Sequence, residues 1–207
     1  MNIDWNRELL DQLDWHWRNQ LRPRLDGLSD PEYLWEPVAG CWSVRRRGES
    51  RTAQAFGTGE HLLDFAYPEP DPAPVTTIAW RLGHVIASVL GTRVASHFGG
   101  PQVGYDSFAY AGTAKEALQQ LDEAYARWVA GVRGLGEAGL ARPCGPAEGP
   151  FAEYPLATLV LHINREMLHH GAEIALLRDL YRAGPGRGPA PGSDRLDAGS
   201  GPAPESA

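Results

Sequence analysis

The stretch His162-Ile-Asn-Arg-Glu-Met-Leu-His-His170 constrains this chain most, because it sets a carboxylate and an imidazole inside the apolar stripe of a helix. Steps of three or four from Glu166 reach Leu159, Ile163, His170, Ile174, Leu177 and Tyr181. Residues so spaced share one helix face, so Glu166 and His170 belong to the buried side. Burying a carboxylate without a partner is costly. A divalent metal gripped by both side chains is the economical compensation.

Three further segments carry the helical period. The first runs from about Ile3 to Leu25, with Trp5, Leu9, Leu13, Trp17 and Leu21 in i,i+4 steps. The second spans about Val75 to Phe98, with Thr76 or Thr77 as cap and Ile78, Leu82, Val85 and Val89 as its stripe. The third opens on Thr113-Ala-Lys-Glu116, a capping-box spacing, and carries Leu118, Leu121, Tyr125, Trp128, Val132 and Leu135. The last starts beside Pro155, a residue tolerated in a first helical turn, and ends near Tyr181. No sustained β alternation lies between them, so the expected class is all-α, with four long helices packed as a bundle.

Two segments fall outside this pattern. Residues 36–74 form a connection longer than a compact bundle requires, holding Trp42-Ser43-Val44, Arg45-Arg46-Arg47 and a run of prolines. Long ordered loops often carry function, and this one leads into the second helix, so it is expected to shape the mouth of a site. Residues 183–207 hold 11 Gly or Pro among 25 positions, and Leu196 is their one large apolar side chain. That composition predicts a disordered tail after a domain of residues 1–182.

Net charge is −7 with no basic stripe, which argues against nucleic acid and anionic membrane as partners. There is no apolar run of membrane-spanning length, and the first residues do not read as a signal peptide. Two cysteines, Cys41 and Cys144, form no C-x-x-C pair, so the expected setting is a reduced cytoplasm.

A third ligand is available from the second helix, in Trp80-Arg-Leu-Gly-His84. Alone, His84 reads as a hydrogen-bonded core histidine. Facing Glu166 and His170 it completes a His/Glu/His set, the three-ligand arrangement that leaves one position open on zinc and other divalent ions. Glu166-x-x-His169 also has di-iron spacing, but no second Glu-x-x-His is present to complete such a site. Zinc-peptidase signatures are absent. His162 and His169 flank the Glu166–His170 line and are candidates to brace the ligands. His16, His61 and His97 take a surface or flank position by default.

The Trp42-Ser43-Val44 stretch, Trp80-Arg81-Leu82-Gly83-His84 and Glu166-x-x-x-His170-Gly-Ala-Glu-Ile174 together resemble the DinB-like superfamily, which includes the mycothiol-dependent maleylpyruvate isomerases. The resemblance covers roughly residues 1–182. Many DinB-like members carry His where this chain has Glu166; the His-Glu-His set is closer to the mycothiol-linked branch. The resemblance implies an up-down-down-up four-helix bundle, a divalent metal (zinc or nickel) on His84, Glu166 and His170, and a small thiol cofactor such as mycothiol. Trp42 and Trp80 are the candidate pocket residues, and Trp42 reads equally well as a plug at the core end.

Three functions compete on this reading. One is a transferase or isomerase using a metal-held thiol; its partners are that thiol and a small-molecule substrate, with a homodimer left open. Another is a non-catalytic metal-braced protein acting through a partner. The third is a metal-dependent hydrolase. The acceptor substrate is not encoded in any motif.

Overall fold

A computed structural model describes residues 3–184. The tail expected to be disordered lies almost entirely outside the described residues.

Helix α1, Trp5–His16, is capped by the Asp4 carboxylate, which accepts from the Arg7 N–H. It continues through a π-helical turn, Trp17–Leu21, into α2, Arg22–Arg24. Pro23 has no N–H for the Asn19 carbonyl, and the helix widens where that bond is missing. A short α3, Asp30–Tyr33, follows. Thr77 caps α4, Ile78–His84, by accepting from the Trp80 N–H. The helix then passes through a second π-helical segment, Val85–Gly91, into α5, Thr92–Phe98. Gly91 is required there, because a Cβ would lie 2.8 Å from the Ile86 carbonyl oxygen.

Thr113 caps α6, Ala114–Arg133, through the Glu116 N–H, as the capping-box spacing predicts. A short α7, Gly136–Leu140, and a 3-10 turn, Pro146–Phe151, lead to α8, Leu156–Ala183, which begins after Pro155. The long helical segments pack on one another around a single core that includes Leu13, Leu82, Leu90, Trp128, Ile163 and Met167. Trp17 stacks on Tyr125 at 3.9 Å, and the Tyr125 hydroxyl donates to Asp14, tying α1 to α6. One stripe residue departs from expectation: Trp5 is 57 % exposed.

The all-α expectation is corrected in the 36–74 connection. It folds into a three-stranded antiparallel sheet of β1 (Val44–Arg46), β2 (Gln54–Phe56) and β3 (His61–Phe65), in the order β1-β3-β2. Leu63, opposite both Val44 and Phe56, is completely buried. The organising group is Asp64, also fully buried, whose carboxylate accepts from the Ser43 N–H, Arg45 Nε and Ser50 Oγ. Its backbone carbonyl takes the Trp80 indole N–H at 2.8 Å, which fastens the sheet to α4. Arg45, in the connection expected to shape the mouth of a site, is ion-paired to Asp64 at 2.7 Å and Glu36 at 2.9 Å.

Candidate metal centre

Local helix geometry brings the three expected ligands together. Glu166 and His170 lie one turn apart on α8, with His170 Nε2 3.3 Å from Glu166 Oε2. His84, the last residue of α4, meets His170 edge to face, with 4.7 Å between ring centroids. One ligand atom from each of His84, Glu166 and His170 lies within 4.8 Å of the others. His170 is buried, while His84 and Glu166 are half-buried.

Both imidazoles are oriented by partners. His170 Nδ1 lies 2.7 Å from Glu173 Oε2. With Nδ1–H donating there, Nε2 turns its lone pair toward the Glu166 carboxylate, and two acceptors that close need a proton or a cation between them. His84 Nδ1 lies 2.5 Å from the Tyr105 hydroxyl, and the tautomer that donates to that oxygen leaves Nε2 free to ligate. Burial, reinforced by the neighbouring His170, Arg81 and Arg93, lowers the His84 pKa to about 3. Its ring is therefore neutral at physiological pH, the form a metal requires.

Glu173 and Tyr105 were not singled out from sequence. Glu173 sits three residues after His170, so the i,i+3 spacing was a usable signal; it is anchored in turn by Arg81 Nε at 3.0 Å. Tyr105 lies in a loop and carries no such signal. The two flanking histidines contact these carboxylates: His162 Nδ1 is 3.5 Å from Glu166 Oε1, and His169 Nε2 is 3.4 Å from Glu173 Oε1. His169, His170 and Glu173 form a second group with ligand atoms within 4.8 Å. That group lies on a single helix, His169 is largely exposed, and Glu173 is already occupied by Arg81. The set joining α4 to α8 is the better cage.

Of the two expected pocket tryptophans, Trp80 stacks on His84 at 5.5 Å. Trp42 is one ring removed, 5.9 Å from Trp80 and 5.7 Å from Phe65, inside the core. The loop reaches the centre through Phe65, which packs 5.6 Å from Tyr105. Arg47 donates to the Gly57 and Gly59 carbonyls, and with Arg45 it braces the loop. His97, given a surface or flank position, has a side chain only 7 % exposed and pairs with Glu148 at 2.9 Å.

A family model for the DinB superfamily matches residues 12–174, and the chain belongs to that superfamily. No curated protein and no solved structure gives a significant match. Among the described residues, no helix is long and apolar enough to cross a membrane.

Proposed function

We propose that this chain is a divalent-metal-dependent transferase or isomerase that works with a low-molecular-weight thiol, mycothiol or a close analogue. On this reading α1 with its continuation, α4–α5, α6 and α8 form an up-down-down-up four-helix bundle, and His84, Glu166 and His170 hold zinc or nickel at one end of its core. The observation that carries the proposal is the convergence of those three side chains from two helices, with both imidazoles oriented by partners. Two neutral imidazoles and one carboxylate suit either metal.

When bound, a divalent cation supplies positive charge that favours the thiolate form of a thiol beside it. The chain's own residues do the rest. Glu173 fixes the His170 ring, and Arg81 fixes Glu173. Tyr105 fixes the His84 ring, while Trp80 covers one of its faces. The protein's own thiols are poorly placed to act as nucleophiles: Cys41 is buried and donates to the Val38 carbonyl, and burial raises the Cys144 pKa. The cofactor thiol therefore fills that role, and the other partner is a small molecule in the cytoplasm.

The test is calorimetry of the metal-loaded protein with a panel of thiols including mycothiol. Binding that disappears on chelation is expected. An absence of thiol binding across the panel returns the chain to the hydrolytic or non-catalytic reading.

A further inference from the structure

Helix α8 is apolar on two sides. Its buried stripe, through Ile163, Met167 and Ile174, faces the core. On the opposite side Leu161, Leu168, Ala172 and Leu176 succeed one another at steps of seven, four and four, with Leu161 54 % and Leu176 59 % exposed. Leu180, at the edge of the same face, is 48 % exposed. A helix that is apolar all round is ordinarily buried all round. α1 borders this outer face. Its Leu9 and Gln12 meet Leu161 and Leu168 across the groove between the two helices, and Trp5, one turn before Leu9, is largely exposed.

The outer face reads the same in both directions. Arg165, Leu168, Ala172, Leu176 and Asp179 follow at steps of three, four, four and three. A two-fold axis at Ala172 therefore lays a second α8 antiparallel on the first, with Leu168 on the other copy's Leu176 and Arg165 on the other copy's Asp179. That is the self-complementarity an isologous contact needs, and the small Ala172 at the axis lets the two backbones come close. A parallel pair would instead set arginine on arginine and aspartate on aspartate. Within one copy Asp179 pairs with Arg24 at 2.7 Å, and Arg165 lies 2.8 Å from His162 and 4.0 Å from Glu166. The two side chains are 57 % and 70 % exposed, and contacts that exposed contribute little, so they do not hold either side chain back from a partner.

The area is sufficient. Leu161 to Leu180 spans about 28 Å of helix axis, and two neighbouring helices are about 18 Å across, which gives about 500 Å² on each copy. Two such faces hide about 1,000 Å², the size at which specific interfaces begin. We infer that the outer face of α8, with the bordering edge of α1, binds a second copy of this chain in an antiparallel two-fold dimer centred on Ala172. The contact uses the back of the helix whose inner side carries Glu166 and His170, so it stands independently of the metal reading.

The experiment is size-exclusion chromatography with light scattering on the full-length protein, loaded at about 1 to about 100 μM. Twice the mass of the chain is expected. Leu176→Glu sets a charge in the seam of both copies and should weaken the dimer about a hundredfold or more, with the circular dichroism unchanged. Arg165→Asp sets like charges at both ends of the seam and should weaken it about tenfold, and adding Asp179→Arg should recover the dimer. Ala172→Cys should cross-link to its own copy under a mild oxidant, whereas Ala130→Cys, on the exposed side of α6, should not; the native Cys41 and Cys144 are buried. A protein that is monomeric across this range overturns the proposal, whatever else covers the face. A dimer indifferent to Leu176→Glu means that the copies meet elsewhere, which also overturns it. Failure of the double charge exchange to recover the dimer overturns the antiparallel order.

Discussion

His170 turns Nδ1 to Glu173 Oε2 at 2.7 Å, so that its other nitrogen faces Glu166. The contact spans three residues of one helix, and it decides which lone pair the ring offers to a cation. Arg81, from α4, holds the same Glu173 oxygen at 3.0 Å. The two helices that bring His84, Glu166 and His170 together are thus also joined by the Arg81–Glu173 pair.

Glu173→Gln should therefore weaken metal binding without removing a ligand. The amide keeps the shape of the carboxylate but loses its charge, and with it the strong pull on the His170 N–H and on Arg81. The affinity loss expected for such a partner is about ten- to a hundredfold. Competition with a chromophoric chelator measures it, and an unchanged affinity would remove Glu173 from the account.

The helices and the pairing of Glu166 with His170 were legible because both are written in short-range spacing. Stripes at three and four residues gave the long helical segments, Thr113 and Glu116 gave a cap, and Glu166 with His170 gave a shared face. The sheet was not legible. Its strands are three to five residues long, and in β3 Leu62, Leu63 and Asp64 are all buried, so no alternation appears. Tyr105 escaped for a related reason: its role depends on a loop folding back over α4, and nothing local encodes that.

Arg178 illustrates the same limit and carries its own prediction. It lies one turn beyond Ile174 on the buried face of α8, a place where arginine is rare without a partner. Instead it is 1 % exposed, paired with the buried Glu32 at 2.6 Å and bonded to the Arg24 and Asp26 carbonyls. Arg178→Met leaves Glu32 buried without its cation, which costs about 3–5 kcal/mol. Replacing both residues by apolar ones should restore much of that loss. Denaturant unfolding of the single and double variants checks the pair, and equal destabilisation by the two would contradict it.

Four of the seven tyrosines should stay protonated in the folded protein well into the alkaline range. Burial is the leading cause of the raised pKa of Tyr33, Tyr105, Tyr110 and Tyr125, with Asp14 adding to it at Tyr125. An unfolded tyrosine ionises near pH 10. The folded pKa lies higher, so the stability these groups contribute is complete below that value and is lost as pH rises above it. An ultraviolet titration should show these four phenols ionising together with alkaline unfolding. Their ionisation near pH 10 in a still-folded protein would contradict the burial described here.

The central claim is that His84, Glu166 and His170 hold one divalent ion, and elemental analysis of protein purified without chelator tests it most directly. The account predicts about one equivalent of zinc or nickel per chain, and loss of most of it in both His84→Ala and His170→Ala, since removing one of three ligands opens the site. Full metal content in His170→Ala, with the fold intact by circular dichroism, would contradict the account.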